Sequence, residues 1–370
     1  MELVPRSNVP TTPRYVASAV SSIRRRCDER LTTLFTRFTL YHVLGKRFCV
    51  VDELRYGHAF QILRVLDVVT ETIKIVKVIS RSLVDDEVIR DNIEWLRRRR
   101  TTEARHAELS EDFKTPFNWY LVFERPGTSL KEVLSRNDMQ PLPRRHVRAI
   151  AHQIIKAVCW MMHLDICPET IELVSAATVM EWQYRMDGHF AEKVVLQCSR
   201  IRLVFYGSAG VRTERTIGTD QYRAPELIFG EFGRRFKGWA SKFRTDAFSI
   251  GCVFSEMLIG RPLFPPCDGE AFYVVAKAHL FQSTLGDFPA DVIHRVSLMH
   301  EGVFDSSNNL RGLYSLSSGL RHYLEDAKNI QELVEDDDEL DVLKALTMIS
   351  STDRSHLSHV LCFSYFTRTE

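Results

Sequence analysis

Apolar residues between Tyr41 and Ile79 come in short runs separated by polar or turn residues. FCVVDEL (48–54), FQILRVLDVV (60–69) and TIKIVKVI (72–79) alternate or run apolar over strand length, and each predicts a β-strand. The period then changes. In DDEVIRDNIEWLRRRR (85–100), Val88, Ile89, Ile93 and Leu96 fall at helical spacing. Asp85 and Asp86 open that stretch and Arg97–Arg100 close it, which complements a helix dipole. WYLVFE (119–124) reads as one more strand. Beyond Pro126 and Gly127 helical periods dominate. RRHVRAIAHQIIKAVCWMMH (144–163) carries a long apolar stripe. TDAFSIGCVFSEMLIG (245–260) is apolar almost all round, as in a helix enclosed by a core. AFYVVAKAHLF (271–281) and DELDVLKALTMI (338–349) predict two more helices. The pattern implies an α+β chain in three parts: a basic tail over 1–40, a strand-rich lobe over 41–124, and a larger helical lobe over 125–370.

Composition narrows the picture. The 370 residues are 45% hydrophobic and 26% charged with a net charge of +1, so no global field favours nucleic acid or an acidic membrane. No apolar run reaches the roughly 18 residues needed to span a bilayer. The N-terminus lacks the apolar core of a signal peptide, which predicts an intracellular protein. The eight cysteines form no C-x-x-C pair and no zinc-like spacing, so buried free thiols are expected and no metal site is predicted. Arg24–Arg26 reads either as a solvated basic face or as an import or RNA contact.

YRAPEL (222–227), followed by DAFSIGCVFSEMLIGRPLF (246–264), resembles the A-P-E motif and the D-x-W-S-x-G helix of protein kinases. Arg354 in STDRSH stands where that family's late arginine pairs with the A-P-E glutamate, here Glu226. The resemblance implies a bilobal kinase fold, with Glu226, Asp246 and Arg354 as structural residues and Asp246 holding the catalytic-loop backbone. KRFCVVDEL (46–54), YLVFERPGTSL (120–130) and a long insert over 179–204 are similar to the LAMMER (CDC-like) dual-specificity kinases, although the LAMMER signature itself is absent.

Phosphoryl transfer rests on positioning and charge neutralisation, and the resemblance assigns each part a residue. In RYGHAF (55–60), Arg55, Gly57 and Phe60 take the three positions of the glycine loop. Ile62 follows on the next strand, and the resemblance implies a degenerate ATP site formed by Gly57, Ile62, Ile75 and Glu124. Lys77 matches the phosphate-pairing lysine, with Ile75 where the family keeps a small residue against adenine. Asn92 replaces the helix glutamate that pairs with this lysine. Phe123 is the gatekeeper. Glu124 opens the hinge and Pro126, which has no N–H, occupies a position that donates to adenine. In HLDICPET (163–170), Asp165 is retained as the proton-accepting base. Leu164, Cys167 and Thr170 replace the arginine, lysine and magnesium-binding asparagine. Phe205, in FYG, replaces the magnesium-binding aspartate.

Fold-holding residues therefore remain while metal and phosphate groups are lost. This pattern implies a pseudokinase that binds a protein partner, either an active kinase or a protein substrate of the family. ATP binding is expected to be weak and magnesium is not expected. Membrane and nucleic-acid partners are not expected, and a nuclear rather than cytoplasmic location is implied by the resemblance alone. The alternative is an active or weakly active ATP-dependent Ser/Thr/Tyr kinase that works through Lys77 and Asp165.

Overall fold

The computed structural model describes residues 37–56, 60–98, 109–124, 127–159, 166–184, 190–204, 219–230, 239–267 and 270–368. They divide into two compact units. One holds the described residues up to Ile93 together with those of 109–124. The other holds those from Glu94 to Arg98 and from Gly127 onward. No helix among the described residues is long and apolar enough to cross a membrane.

The first unit is built on an antiparallel sheet of six strands in the order β1-β2-β3-β4-β6-β5. These are β1 (Val43–Leu44), β2 (Phe48–Tyr56), β3 (Phe60–Asp67), β4 (Thr72–Ser80), β5 (Leu109–Lys114) and β6 (Asn118–Phe123). Side chains alternate between the faces of a strand, and both faces of β3, β4 and β6 are apolar. Leu63, Val65, Val76, Val78, Tyr120 and Val122 join Leu44, Phe48 and Val50 in one core. The intervening residues, Phe60, Ile62, Ile75, Lys77, Ile79, Leu121 and Phe123, lie on the opposite face and are buried too. Strand β5, whose sequence LSEDFK carries no clear alternation, was not predicted. It is held by pairing with β6 and by Phe113, whose ring stacks on Tyr120 at 4.6 Å.

Helix α1 (Asp86–Arg98) follows β4. Its opening carboxylate takes Arg81 Nε at 2.8 Å and the Trp119 indole N–H at 2.8 Å. These bonds bring the Asp86 carboxyl down to about 2. Ile89 and Ile93, two of the four expected stripe residues, are buried, while the side chains of Val88 and Leu96 lie outside the described set. Most of the expected tail is also outside it, but residues 37–40 are described. The fully buried Gln61 amide accepts the Phe38 N–H at 2.9 Å and donates to the Phe38 carbonyl at 2.7 Å. Arg37 pairs with Glu53 beside this clamp.

The second unit includes helices α2 (Leu130–Leu134), α3 (Arg144–Val158), α4 (Trp239–Ile259), α5 (Tyr273–Leu285), α6 (Ala290–Met299) and α7 (Asp337–Thr347), along with an eight-residue helix over Ser318–Glu325 and short helical turns. Ser129 and Glu132 form a capping box on α2, satisfying backbone donors the helix start would leave open. The α4 stretch, apolar almost all round in sequence, is buried throughout its apolar positions from Ala247 to Met257. At Gly251 a Cβ would stand 2.5 Å from the Thr347 side chain, so glycine is what lets α4 and α7 approach closely. Strands β7 (Thr128–Ser129), β8 (Ile171–Leu173) and β11 (Ile201–Leu203) form a small sheet in the order β11-β8-β7. Much of the long insert is an antiparallel hairpin, β9 (Thr178–Tyr184) with β10 (Phe190–Leu196).

Glu226 and Arg354 form the buried ion pair that the sequence implies. Arg354 Nη1 meets Oε1 at 2.8 Å and Nη2 meets Oε2 at 3.1 Å. The remaining guanidinium hydrogens reach the carbonyls of Met348 and Arg244. Thr245 donates a further hydrogen bond to Glu226 at 3.0 Å, and the Phe248 ring lies 5.0 Å from the guanidinium. Breaking such a pair strands a buried charge. Arg354→Met should therefore lower stability by about 3–5 kcal/mol. Urea unfolding should recover much of that loss in the Glu226→Gln/Arg354→Met double variant.

Candidate functional site

The first unit assembles one set of the expected residues on a single sheet face. Register sets Ile62 opposite Lys77, Lys77 opposite Leu121, and Ile75 opposite Phe123. Lys77 is 2% exposed and Ile75 is fully buried, so the lysine emerges among apolar neighbours. Its ammonium lies 5.4 Å from the centroid of the Phe60 ring, the residue at the third glycine position. Glu124, at the start of the expected hinge, is exposed and pairs with Lys74 of the opposite face at 2.9 Å. Gly57 and Pro126 lie outside the described residues, as do the side chains of Arg55 and Asn92.

The second unit carries the expected metal and phosphate positions. Cys167 and Thr170 bracket a 3-10 turn, Pro168–Thr170. The Thr170 hydroxyl donates to the Cys167 carbonyl at 2.9 Å and accepts the Cys167 N–H at 3.1 Å. That oxygen is thus committed to closing its own turn. Cys167 is 1% exposed, packed as a core thiol. The Val204 N–H donates to the Thr170 carbonyl at 2.8 Å, which sets the residue before Phe205 beside Thr170 through the backbone. Phe205 lies outside the described residues, as do His163, Leu164 and Asp165. Asp246 is 1% exposed on α4, but the His163–Asp165 part of the loop it is expected to hold lies outside the described residues. Among the described residues, no group of three or more His, Cys, Asp or Glu is placed to hold a metal ion.

Two features escape a reading of the sequence. Glu172 sits between Thr170 and the core residue Leu173, 3% exposed, and its carboxylate accepts the Gly127 N–H at 3.0 Å. A Cβ at Gly127 would meet the Leu173 carbonyl at 2.3 Å, so only glycine fits this contact. The second feature is a polar cluster behind Y-R-A-P-E. Asp220 accepts from Lys277 Nζ at 3.0 Å, the Tyr273 hydroxyl at 2.7 Å and the Cys267 N–H at 2.9 Å. Lys277 also reaches the Asp220 carbonyl at 2.8 Å and is 1% exposed. A lone lysine within YVVAKAHLF was the available signal, since a buried ammonium requires a charged partner. Next to this cluster, the Tyr222 hydroxyl donates to Glu256 at 2.6 Å, and burial raises the Glu256 carboxyl.

Burial alone would raise the Asp220 carboxyl, but the Lys277 charge and the three donors hold it below the ordinary aspartate value. The unfolded chain therefore binds more protons in the window below about 3.9. The stability this carboxylate contributes is complete above that value and is lost as pH falls through the lower folded-state value. Asp220→Asn should be less stable than the parent chain at pH 7. The two stability curves should converge in acid, as followed by urea unfolding across pH 2.5–7.

The protein kinase domain family matches residues 53–366 of the chain. The dual specificity protein kinase lkh1 of Schizosaccharomyces pombe is 29% identical over 246 residues, covering 63% of this chain and 33% of lkh1. The serine/threonine-protein kinase AFC1 of Arabidopsis thaliana is 23% identical over 365 residues, covering 90% of this chain and 73% of AFC1. The human dual specificity protein kinase CLK4 is 27% identical over 271 residues, covering 68% of this chain and 52% of CLK4. The chain thus spans a third to about a half of the length of lkh1 and CLK4. The crystal structure of a kinase domain superposes with a TM-score of 0.69 at 19% identity, covering 90% of this chain and 98% of that one, and supports the α+β kinase fold. A match running through both compact units, together with the buried Glu226–Arg354 pair, makes this chain a member of the protein kinase domain family, with similarity to the LAMMER (CDC-like) dual-specificity kinases.

Proposed function

We propose that this protein is a LAMMER-like kinase-fold protein that transfers no phosphate and acts as a scaffold or regulator by binding a protein partner. The partner class is an active kinase or a protein substrate of that family. The observation that carries this reading is the Thr170 hydroxyl, which is bonded to both the N–H and the carbonyl of Cys167. At this position the family resemblance implies an asparagine oxygen for magnesium. Magnesium demands near-octahedral oxygen ligation, and a hydroxyl already closing a backbone turn does not fit that role. Cys167, where the resemblance implies a lysine cation, supplies no charge to a transferring phosphate and is packed in the core. Phe205 and Asn92 stand where the resemblance implies two carboxylates, so two negative charges are missing at the level of sequence. Losing one preorganised charge-stabilising group costs about 10²–10³ in rate, so these replacements together favour a non-catalytic role. ATP, on this reading, binds weakly and without dependence on magnesium.

Lys77 and Asp165 are present in the sequence, and the similar proteins are named kinases, which keeps turnover through these two residues as the rival reading. The purified chain, incubated with radiolabelled ATP, Mg²⁺ or Mn²⁺ and a protein substrate, separates the two. Incorporation should not exceed that of a Lys77→Ala/Asp165→Asn control. Incorporation that vanishes in the control would overturn the non-catalytic reading.

A further inference from the structure

The contact between Phe60 and Lys77 carries a consequence for ligand recognition. Phe60 opens β3 opposite Ile79, and Lys77 lies two residues back along β4, opposite Ile62. The two side chains are diagonal cross-strand neighbours on one face, a separation that aromatic and long side chains bridge. The Phe60 ring is 3% exposed and Lys77 is 2% exposed. The ammonium lies 5.4 Å from the ring centroid, within the range of a cation–π contact. Flanking positions on that face are Ile62, Ile75, Leu121 and Phe123, all buried and apolar. A buried ammonium needs its charge met, and the negative face of the ring meets part of it.

We propose that Phe60 is a built-in plug that keeps Lys77 from receiving a phosphate, making it the residue that sets this site against nucleotides. The proposal deepens the non-catalytic reading and rests on it for its biological sense. A glycine at position 60 would remove the ring from beside the ammonium. The phenylalanine instead fills the volume beside the ammonium and supplies a competing partner for its charge. The plug is intramolecular and sits wholly within the first compact unit. Weak nucleotide binding thus has a cause separate from the magnesium positions, and the two are separable by experiment.

The test is metal-free binding of ATP and adenosine by isothermal titration calorimetry, with EDTA present. The parent chain should bind ATP no more tightly than adenosine. Phe60→Gly should gain about thirtyfold in ATP affinity, the factor that a desolvated cation–π contact represents, with little gain for adenosine. The gain should disappear in Phe60→Gly/Lys77→Met. Phe60→Leu keeps apolar bulk while removing the ring face, and serves where the glycine variant fails to fold. In it, acetylation of Lys77 by an N-hydroxysuccinimide ester, read by mass spectrometry, should be faster than in the parent chain. The plug is refuted by a folded Phe60→Gly that binds ATP no better than the parent, by a gain that survives loss of Lys77, or by unchanged Lys77 labelling in Phe60→Leu. No turnover enters these measurements. Phosphate transfer by the parent chain would sink the non-catalytic reading without deciding this comparison.

Discussion

The helical unit depends on one charge pair that water does not reach. Arg354 and Glu226 lie 128 residues apart in sequence, yet each satisfies the other in a two-pronged contact. An isolated ion in that environment would be prohibitively costly. The pair therefore acts as a constraint on assembly: the Y-R-A-P-E turn, the start of α4 and the loop after α7 must all be in place before either charge can be accommodated. The Arg244 and Met348 carbonyls and the Thr245 hydroxyl complete the same arrangement. Such a pair adds little net stability over an apolar alternative. What it adds is intolerance of wrong packing, and this serves a scaffold as well as an enzyme.

In the sheet unit the corresponding constraint is alternation. Because β3, β4 and β6 are apolar on both faces, one face builds the core while the other presents Ile62, Ile75, Lys77 and Phe123 in fixed register. The register sets where these side chains stand, and the sequence decides which side chains they are. Isoleucine stands where the resemblance implies a small residue, and phenylalanine where it implies a glycine. In the second unit a threonine hydroxyl serves its own turn. On the proposed reading, each of these side chains serves the fold where the resemblance implies one that serves a ligand.

Long periodic segments were legible from sequence, because burial on one or both faces leaves a repeating mark. The strands at 48–54, 60–69, 72–79 and 119–124 and the α4 stretch are of this kind. Strand β5 was not legible, since LSEDFK lies at a sheet edge and owes its place to pairing with β6 rather than to its own pattern. The insert was recognisable as an insert, but its pairing of Thr178–Tyr184 with Phe190–Leu196 was not read from it. Glu226 and Arg354 were found by motif. Glu172 and the Asp220–Lys277 cluster were missed, because a buried polar group leaves no periodic trace and its partner lies far away in sequence.

The Gln61 clamp bears on what the sheet unit needs upstream of its first strand. A side-chain amide has one donor group and one acceptor aligned like a peptide unit, so Gln61 grips Phe38 as a neighbouring strand would. Phe38 is thus joined to the sheet unit by a glutamine side chain. A chain trimmed to begin at Tyr41 would bare a fully enclosed amide and remove the phenyl ring that leans on Tyr120. Any shortened version prepared for crystallisation or partner capture does better to start upstream of Arg37.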